Sequence, residues 1–168
     1  MALYLAIPAR AHKHAWKQYQ KELLAAGEIN GRQKSYRVFL RRRKRFASKK
    51  TVPKGFVPDT LYFLMDSGRD KILGRISIRH RLNDYLLNNP GGHIGYAIAP
   101  SERHKGRGTQ QLRLALDICK NMGINQVLIT CHKENIASAK VIQNNGGVLE
   151  DERLSAEGKV FQRYWITL

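Results

Sequence analysis

The sequence predicts an α/β fold in which a central mixed, mostly antiparallel sheet is flanked by helices. Three observations carry this expectation. Apolar residues recur at helical spacing in four segments and in strand-like runs in seven. Turn-rich connectors separate two pairs of those runs, which makes hairpins of them. One basic loop with two glycines, Gly106 and Gly108, joins a strand directly to a helix.

Residues 2–7 alternate loosely and read as a first strand. After Pro8, Ala15, Tyr19, Leu23 and Ala26 recur at helical spacing, so 9–26 reads as a helix closed by Gly27. A second helix is expected over 33–47, with Tyr36, Phe39, Leu40 and Phe46 as its apolar stripe. Strands 61–66 and 71–79 flank Ser-Gly-Arg-Asp, and 80–91 reads as a loop. The strand 93–99 stops at Pro100. The helix 110–122, with Leu112, Ala115, Leu116 and Cys119 on one face, ends at Gly123. A buried-type strand, 127–131, and a helix, 136–145, precede a last hairpin of 148–154 and 160–168. The predicted order is therefore β-α-α-β-β-β-α-β-α-β-β.

The chain has 168 residues, enough to bury a core without staples. No apolar run approaches the roughly 20 residues that span a bilayer. The start lacks a basic segment and meets Pro8 early, so no secretory signal is expected. Cys119 and Cys131 read as reduced thiols of a cytoplasmic protein, and the scattered histidines give no metal-ligand spacing. A single domain over 1–168 is expected, with 1–59 contributing a strand and two helices, which the family resemblance given below places on the substrate side, and 60–168 the core.

Net charge is +17, from 30 Lys and Arg against 13 Asp and Glu. Residues 32–50 hold ten of the basic residues and no acidic one, which leaves +7 for the rest. The excess is thus local. It reads as a solvated helix face, as attraction of a polyanion such as nucleic acid, or as a rim drawing an anionic acceptor or phosphates toward a cleft. No nucleic-acid-binding motif accompanies it.

Chemistry concentrates in Pro100-Ser-Glu-Arg-His-Lys-Gly-Arg-Gly108, between the strand 93–99 and a helix. The first N–H groups of a helix lack intrahelical partners and carry about half a positive charge. Gly106 and Gly108 let successive amides turn toward one anion, and Arg103, Lys105 and Arg107 add charge. The result is a phosphate cradle. A dinucleotide fingerprint fails because Gln111 stands where its third glycine belongs, and no P-loop string is present.

Arg103-x-x-Gly106-x-Gly108 after an apolar strand resembles the [QR]-x-x-G-x-[GA] signature of the GNAT N-acetyltransferase superfamily. Asn135-x-Ala-Ser138, opening a helix that ends at Gly146, is similar to that family's second cofactor-contacting segment. The strings Ile78-Arg-His-Arg-Leu-Asn83 and Gly91-Gly-His-Ile-Gly-Tyr96 also resemble a functionally uncharacterised acetyltransferase group.

The resemblance implies an acetyl-CoA-dependent enzyme that acetylates a primary amine by direct attack and uses no metal. The backbone of Ile98 and Ala99 is expected to pair with the pantetheine arm. The loop Arg103, His104, Lys105, Gly106, Arg107, Gly108 and Thr109 is expected to hold the pyrophosphate. Asn135 and Ser138 would lie near the thioester, with an amide at a bulge in 93–99 serving the oxyanion. His93 is the candidate base, and Arg79, His80 and Asn83 are candidates to line the acceptor pocket. Ile142 stands where many relatives have a tyrosine acid. A basic nucleic-acid-associated protein and a CoA-binding sensor without turnover are the alternatives. A monomer or homodimer is expected.

Overall fold

The computed structural model describes residues 2–30 and 35–168. Two antiparallel sheets form its frame. The first has the order β1-β2-β3-β4, from Leu3–Ala6 (β1), Asp59–Asp66 (β2), Arg69–Arg79 (β3) and Ile94–Ile98 (β4). The second has the order β5-β7-β6, from Gln126–His132 (β5), Val148–Leu154 (β6) and Val160–Thr167 (β7).

The expected single mixed sheet is therefore divided, and every strand ladder among the described residues is antiparallel. The two sheets meet at one isolated bridge, Gly92 to Ile129. Beyond it β4 and β5 part, leaving β4 with a free edge.

Two helices cover one face of the first sheet. Lys13–Ala25 (α1) follows a 3-10 turn at Arg10–His12, and Tyr36–Phe46 (α2) is capped by Ser35, whose side chain accepts from the Val38 amide. Positions 33 and 34 of the expected second helix lie outside the described residues. The aromatic stripe of α2 packs into the core: Trp16 stacks on Phe39 at 4.2 Å between centroids and on Phe63 at 5.7 Å. Aromatic pairs of this kind add to plain area burial.

Arg107–Asn121 (α4) and Ile136–Gln143 (α5) lie on the opposite side. There Leu112, Ala115, Leu116 and Cys119 pack with Ile76, Ile78 and Ile94 in a second cluster.

The segment 80–91 contains a short helix, Asp84–Asn88 (α3), where a loop is expected. Asn83 makes it possible by accepting from the Leu86 amide at 3.0 Å. Arg163, buried on β7, pairs with Glu150 at 2.9 Å and donates to the Leu87 carbonyl, which ties α3 to the second sheet.

Candidate active site

The strand–loop–helix junction is built as its residue types require. Gly106 caps α4 with φ +70°, and His104 also sits in the left-handed region at φ +58°. Left-handed residues in such a turn let neighbouring amides face one anion. Among the described residues no backbone N–H from His104 to Thr109 donates to a protein acceptor; the first helical bond is Gln110 N–H to Gly106 at 3.2 Å.

Gly108 serves a different need. A Cβ there would lie 3.0 Å from Val141 Cγ2, so its absence lets α4 approach α5 closely. Orphaned donors at a helix start suit a diphosphate. The residues present therefore fit a coenzyme carrying that group.

These amides open on a cavity of about 710 Å³ between α4, α5 and the free edge of β4. Arg103, His104, Gly106, Arg107, Gly108 and Thr109 line one end, while Ile98, Tyr96, Asn135 and Ser138 line the other. Lys105 does not line it, because its ammonium bonds the Ser101 carbonyl at 2.7 Å and lies 3.5 Å from Glu102.

Glu102 is a residue the sequence reading missed. Its carboxylate is 2% exposed and faces Lys71 at 2.9 Å, Arg69 at 3.6 Å and Arg107 at 3.9 Å. Burial alone would raise its pKa, but the Lys71 hydrogen bond and the surrounding cations hold it below the ordinary value. One buried acid thus gathers the basic side chains beneath the loop.

Main-chain polarity along β4 follows from the ladder. Arg79 N–H donates to His93 and Ala99 N–H to Leu73, each at 2.8 Å. With alternation, the odd residues of β4 bond β3, while Ile94, Tyr96 and Ile98 turn their amides and carbonyls to the free edge. The Ile98 amide is thus placed to pair with an extended ligand, while its carbonyl accepts from Arg103 Nε at 3.2 Å. Ala99 is not, since its carbonyl also accepts from Glu102 N–H at 2.8 Å; Tyr96 takes that place. No bulge interrupts the β3–β4 register, so the expected bulge amide is absent from that ladder and the amides that face the gap are those of the free edge.

Tyr96 is a second missed residue. Its hydroxyl lies 2.8 Å from Ser138 Oγ, and burial pushes its pKa up to about 12. Ile142, the position at which the family resemblance led to the expectation of a tyrosine, is fully buried in the core. Asn135 caps α5 by accepting from the Ser138 amide at 3.0 Å. Cys131 is a buried thiol whose pKa burial raises, so it stays protonated.

His93 does not serve as a base. Its Nδ1 accepts from Leu128 N–H at 3.0 Å, while the His93 backbone N–H donates to the Leu128 carbonyl at 2.7 Å. The Nδ1 lone pair is spent and Nε2 carries the proton. Burial and the nearby Arg79 push the pKa down to about 4. His93 instead clamps the two sheets where they begin to part.

A stability prediction follows for that clamp. A histidine whose native pKa lies below its unfolded value of about 6.5 contributes stability that is complete above that pH. It is lost as pH falls toward 4, by up to about 3 kcal/mol. Chemical denaturation across this range is expected to show the loss, and His93→Asn, which keeps an acceptor in place of Nδ1, is expected to flatten it. An unchanged slope in the variant would remove His93 from this role.

A second cavity, of about 540 Å³, lies on the α2 face of the first sheet. Arg79 and Asn83 line it, together with Arg43, Phe46, Asp59 and Tyr85. His80 does not; its Nε2 meets Thr60 Oγ1 at 2.8 Å. Asp59 joins this cavity through tertiary pairing, with Oδ2 bonded to Arg43 at 3.2 Å and to Ser77, and Oδ1 buried without a partner among the described residues.

Residues 11–148 match the family model described as the acetyltransferase (GNAT) domain. The chain belongs to the GNAT acetyltransferase family. It has the GNAT fold of antiparallel sheets flanked by helices, and it is an acetyltransferase, with acetyl-CoA the donor used by its family.

Solved GNAT structures share the architecture at low identity. A ribosomal-protein alanine acetyltransferase from Vibrio fischeri matches with TM-score 0.73 at 14% identity, covering 99% of this chain and 93% of that one. RimL, an alpha-N-protein acetyltransferase of a ribosomal protein in complex with coenzyme A, matches with TM-score 0.71 at 18% identity, covering 100% and 95%. A spermidine N-acetyltransferase chimera involving Vibrio cholerae matches with TM-score 0.66 at 15% identity, covering 99% and 96%. No curated protein matches the chain by sequence. No helix among the described residues of this GNAT chain is long and apolar enough to cross a membrane, and no group of three or more metal-ligating side chains occurs among them.

Proposed function

We propose that this GNAT chain binds acetyl-CoA in the cavity between α4 and α5 and transfers the acetyl group to a primary amine. The amine enters through the gap between β4 and β5. The supporting observation is the run of unpartnered amides from His104 to Thr109, with left-handed His104 and Gly106 behind them. They hold the diphosphate, and the edge groups of Ile98 and Tyr96 align the pantetheine arm as an added strand.

The thioester supplies an activated acetyl carbonyl and a thiol leaving group. Edge amides of β4 stabilise the oxyanion that forms when the neutral amine attacks. The C–N bond forms, the C–S bond breaks, and the proton lost from nitrogen ends on sulfur. The Tyr96 hydroxyl lines this cavity and donates a hydrogen bond to the sulfur as charge builds. A phenol at about 12 keeps its proton at neutral pH, so Tyr96 acts by donating, or by relaying the nitrogen's proton in one concerted movement.

The test is thermal unfolding with acetyl-CoA, followed by thiol release with a panel of amines. A ligand at 100 times its dissociation constant adds about 2.7 kcal/mol of stability. Stabilisation with thiol release is the expected outcome. Stabilisation without release from any amine would make the chain a coenzyme-binding protein, and absence of stabilisation would overturn the site.

A further inference from the structure

The cavity on the α2 face and the exposed surface beside it say what kind of amine enters. We infer, on the reading of acetyl transfer just given, that the acceptor is the α-amino group of an acidic N-terminal peptide segment.

Length comes first. Arg79 bonds His93 across the β3–β4 ladder, and Asp59 pairs with Arg79 across β2–β3. Strands are spaced at about 4.8 Å, so Asp59 lies roughly 10 Å from the gap where the amine reacts. Arg79 spans that interval, with one N–H on the Gly92 carbonyl at 2.8 Å while its side chain lines the cavity. An acceptor reaching from the gap to Asp59 needs about three extended residues at roughly 3.3 Å each. The cavity thus suits a peptide more than a single small amine.

Charge comes second. The cavity holds two guanidinium groups, Arg43 and Arg79, against the one carboxylate of Asp59. Arg42 lies over the ring of Phe46, a wall residue, at 5.3 Å. Arg41, Lys44, Arg45, Lys49 and Lys50 continue outward as exposed side chains. Among the described residues the one ion pair made by α2 is Arg43 with Asp59. A polyamine would meet repulsion here, whereas carboxylates following the reacting amine meet uncompensated cations.

Proton availability comes third. His93 brings no free lone pair to the gap, since Leu128 occupies it. The acceptor must therefore arrive largely neutral. At pH 7 about a tenth of α-amines are unprotonated, against fewer than one in about 10³ lysine side chains. Nearby guanidinium charge favours the neutral form further. A nucleic acid satisfies the charge argument alone, because its base amino groups are poor nucleophiles.

The experiment uses the full chain with acetyl-CoA and three pentapeptides: acidic with a free α-amine, basic with a free α-amine, and acidic with a blocked N-terminus and one lysine. Acetylated mass and thiol release are the readouts. The acidic free peptide is expected to show a kcat/KM at least 10-fold above the others, a gap that shrinks as salt rises. Arg42→Glu with Arg45→Glu is expected to lower that value about 10-fold, with the KM for acetyl-CoA as folding control. Faster acetylation of the lysine peptide, the basic peptide or spermidine would overturn the peptide assignment while leaving acetyl transfer intact. So would tight binding of random RNA, lost in the same double variant without peptide discrimination. Failure of every amine to release thiol would instead overturn acetyl transfer itself.

Discussion

Gly106→Val combined with Gly108→Val is expected to yield a folded chain that no longer binds acetyl-CoA, with affinity down at least 100-fold, or about 2.7 kcal/mol. The two changes act separately. Gly106 has φ +70°, which a β-branched residue adopts only with strain of about 1–3 kcal/mol, so the loop rearranges and its amides lose their common focus. Gly108 is tight for steric reasons: even a Cβ would come within 3.0 Å of Val141, and valine carries two further carbons toward α5. Both positions lie outside the two buried clusters, which is why the fold is expected to survive. Calorimetric titration with acetyl-CoA, beside far-UV circular dichroism, measures both halves of the expectation. Gly106→Asn serves as the milder control, since asparagine tolerates left-handed backbone. Unchanged coenzyme affinity in the double valine variant would mean that the diphosphate binds elsewhere.

The second large effect is expected at Tyr96. Replacing it with phenylalanine removes one hydroxyl, which lies 2.8 Å from Ser138 Oγ in the coenzyme cavity. The ring still packs against the α4-side cluster. The expected result is a kcat lowered about 10- to 30-fold with the KM for acetyl-CoA little changed, because the lost hydrogen bond matters mainly when sulfur becomes negative. The unperturbed thiol pKa near 8.5 sets the ceiling: expelling a bare thiolate at pH 7 costs about 2 kcal/mol, so activity is reduced and not abolished. Steady-state kinetics at saturating amine decides it. An unaltered kcat would take Tyr96 out of the chemistry.

The phosphate loop was legible in the sequence because its signal is local. A strand, two glycines and a helix start lie within sixteen residues, and the physics of orphaned helix amides needs nothing more distant. The elements were legible for a similar reason, since Leu112, Leu116 and Cys119 fix a helix face by spacing alone.

What escaped depends on pairings between remote segments. His93 looked like a base because the amide that consumes its lone pair lies 35 residues away. Ala99 looked free because neighbouring strands decide which amides a ladder consumes. Glu102, one acid among basic neighbours, read as a solvated charge, yet β3 brings Arg69 and Lys71 over it and buries it. Asp59 and Arg43 meet only when α2 folds onto β2. The short α3 was hidden by its length, and Asn83, singled out for an acceptor, also caps that helix.

The most direct test is to follow backbone amide resonances of the folded chain while coenzyme A is added. The largest shifts, and the strongest gain in protection from hydrogen exchange, should fall on residues 104–109, with smaller changes at Tyr96 and Ile98. Tight binding that leaves those six amides unmoved would contradict the assignment of this turn as the seat of the diphosphate.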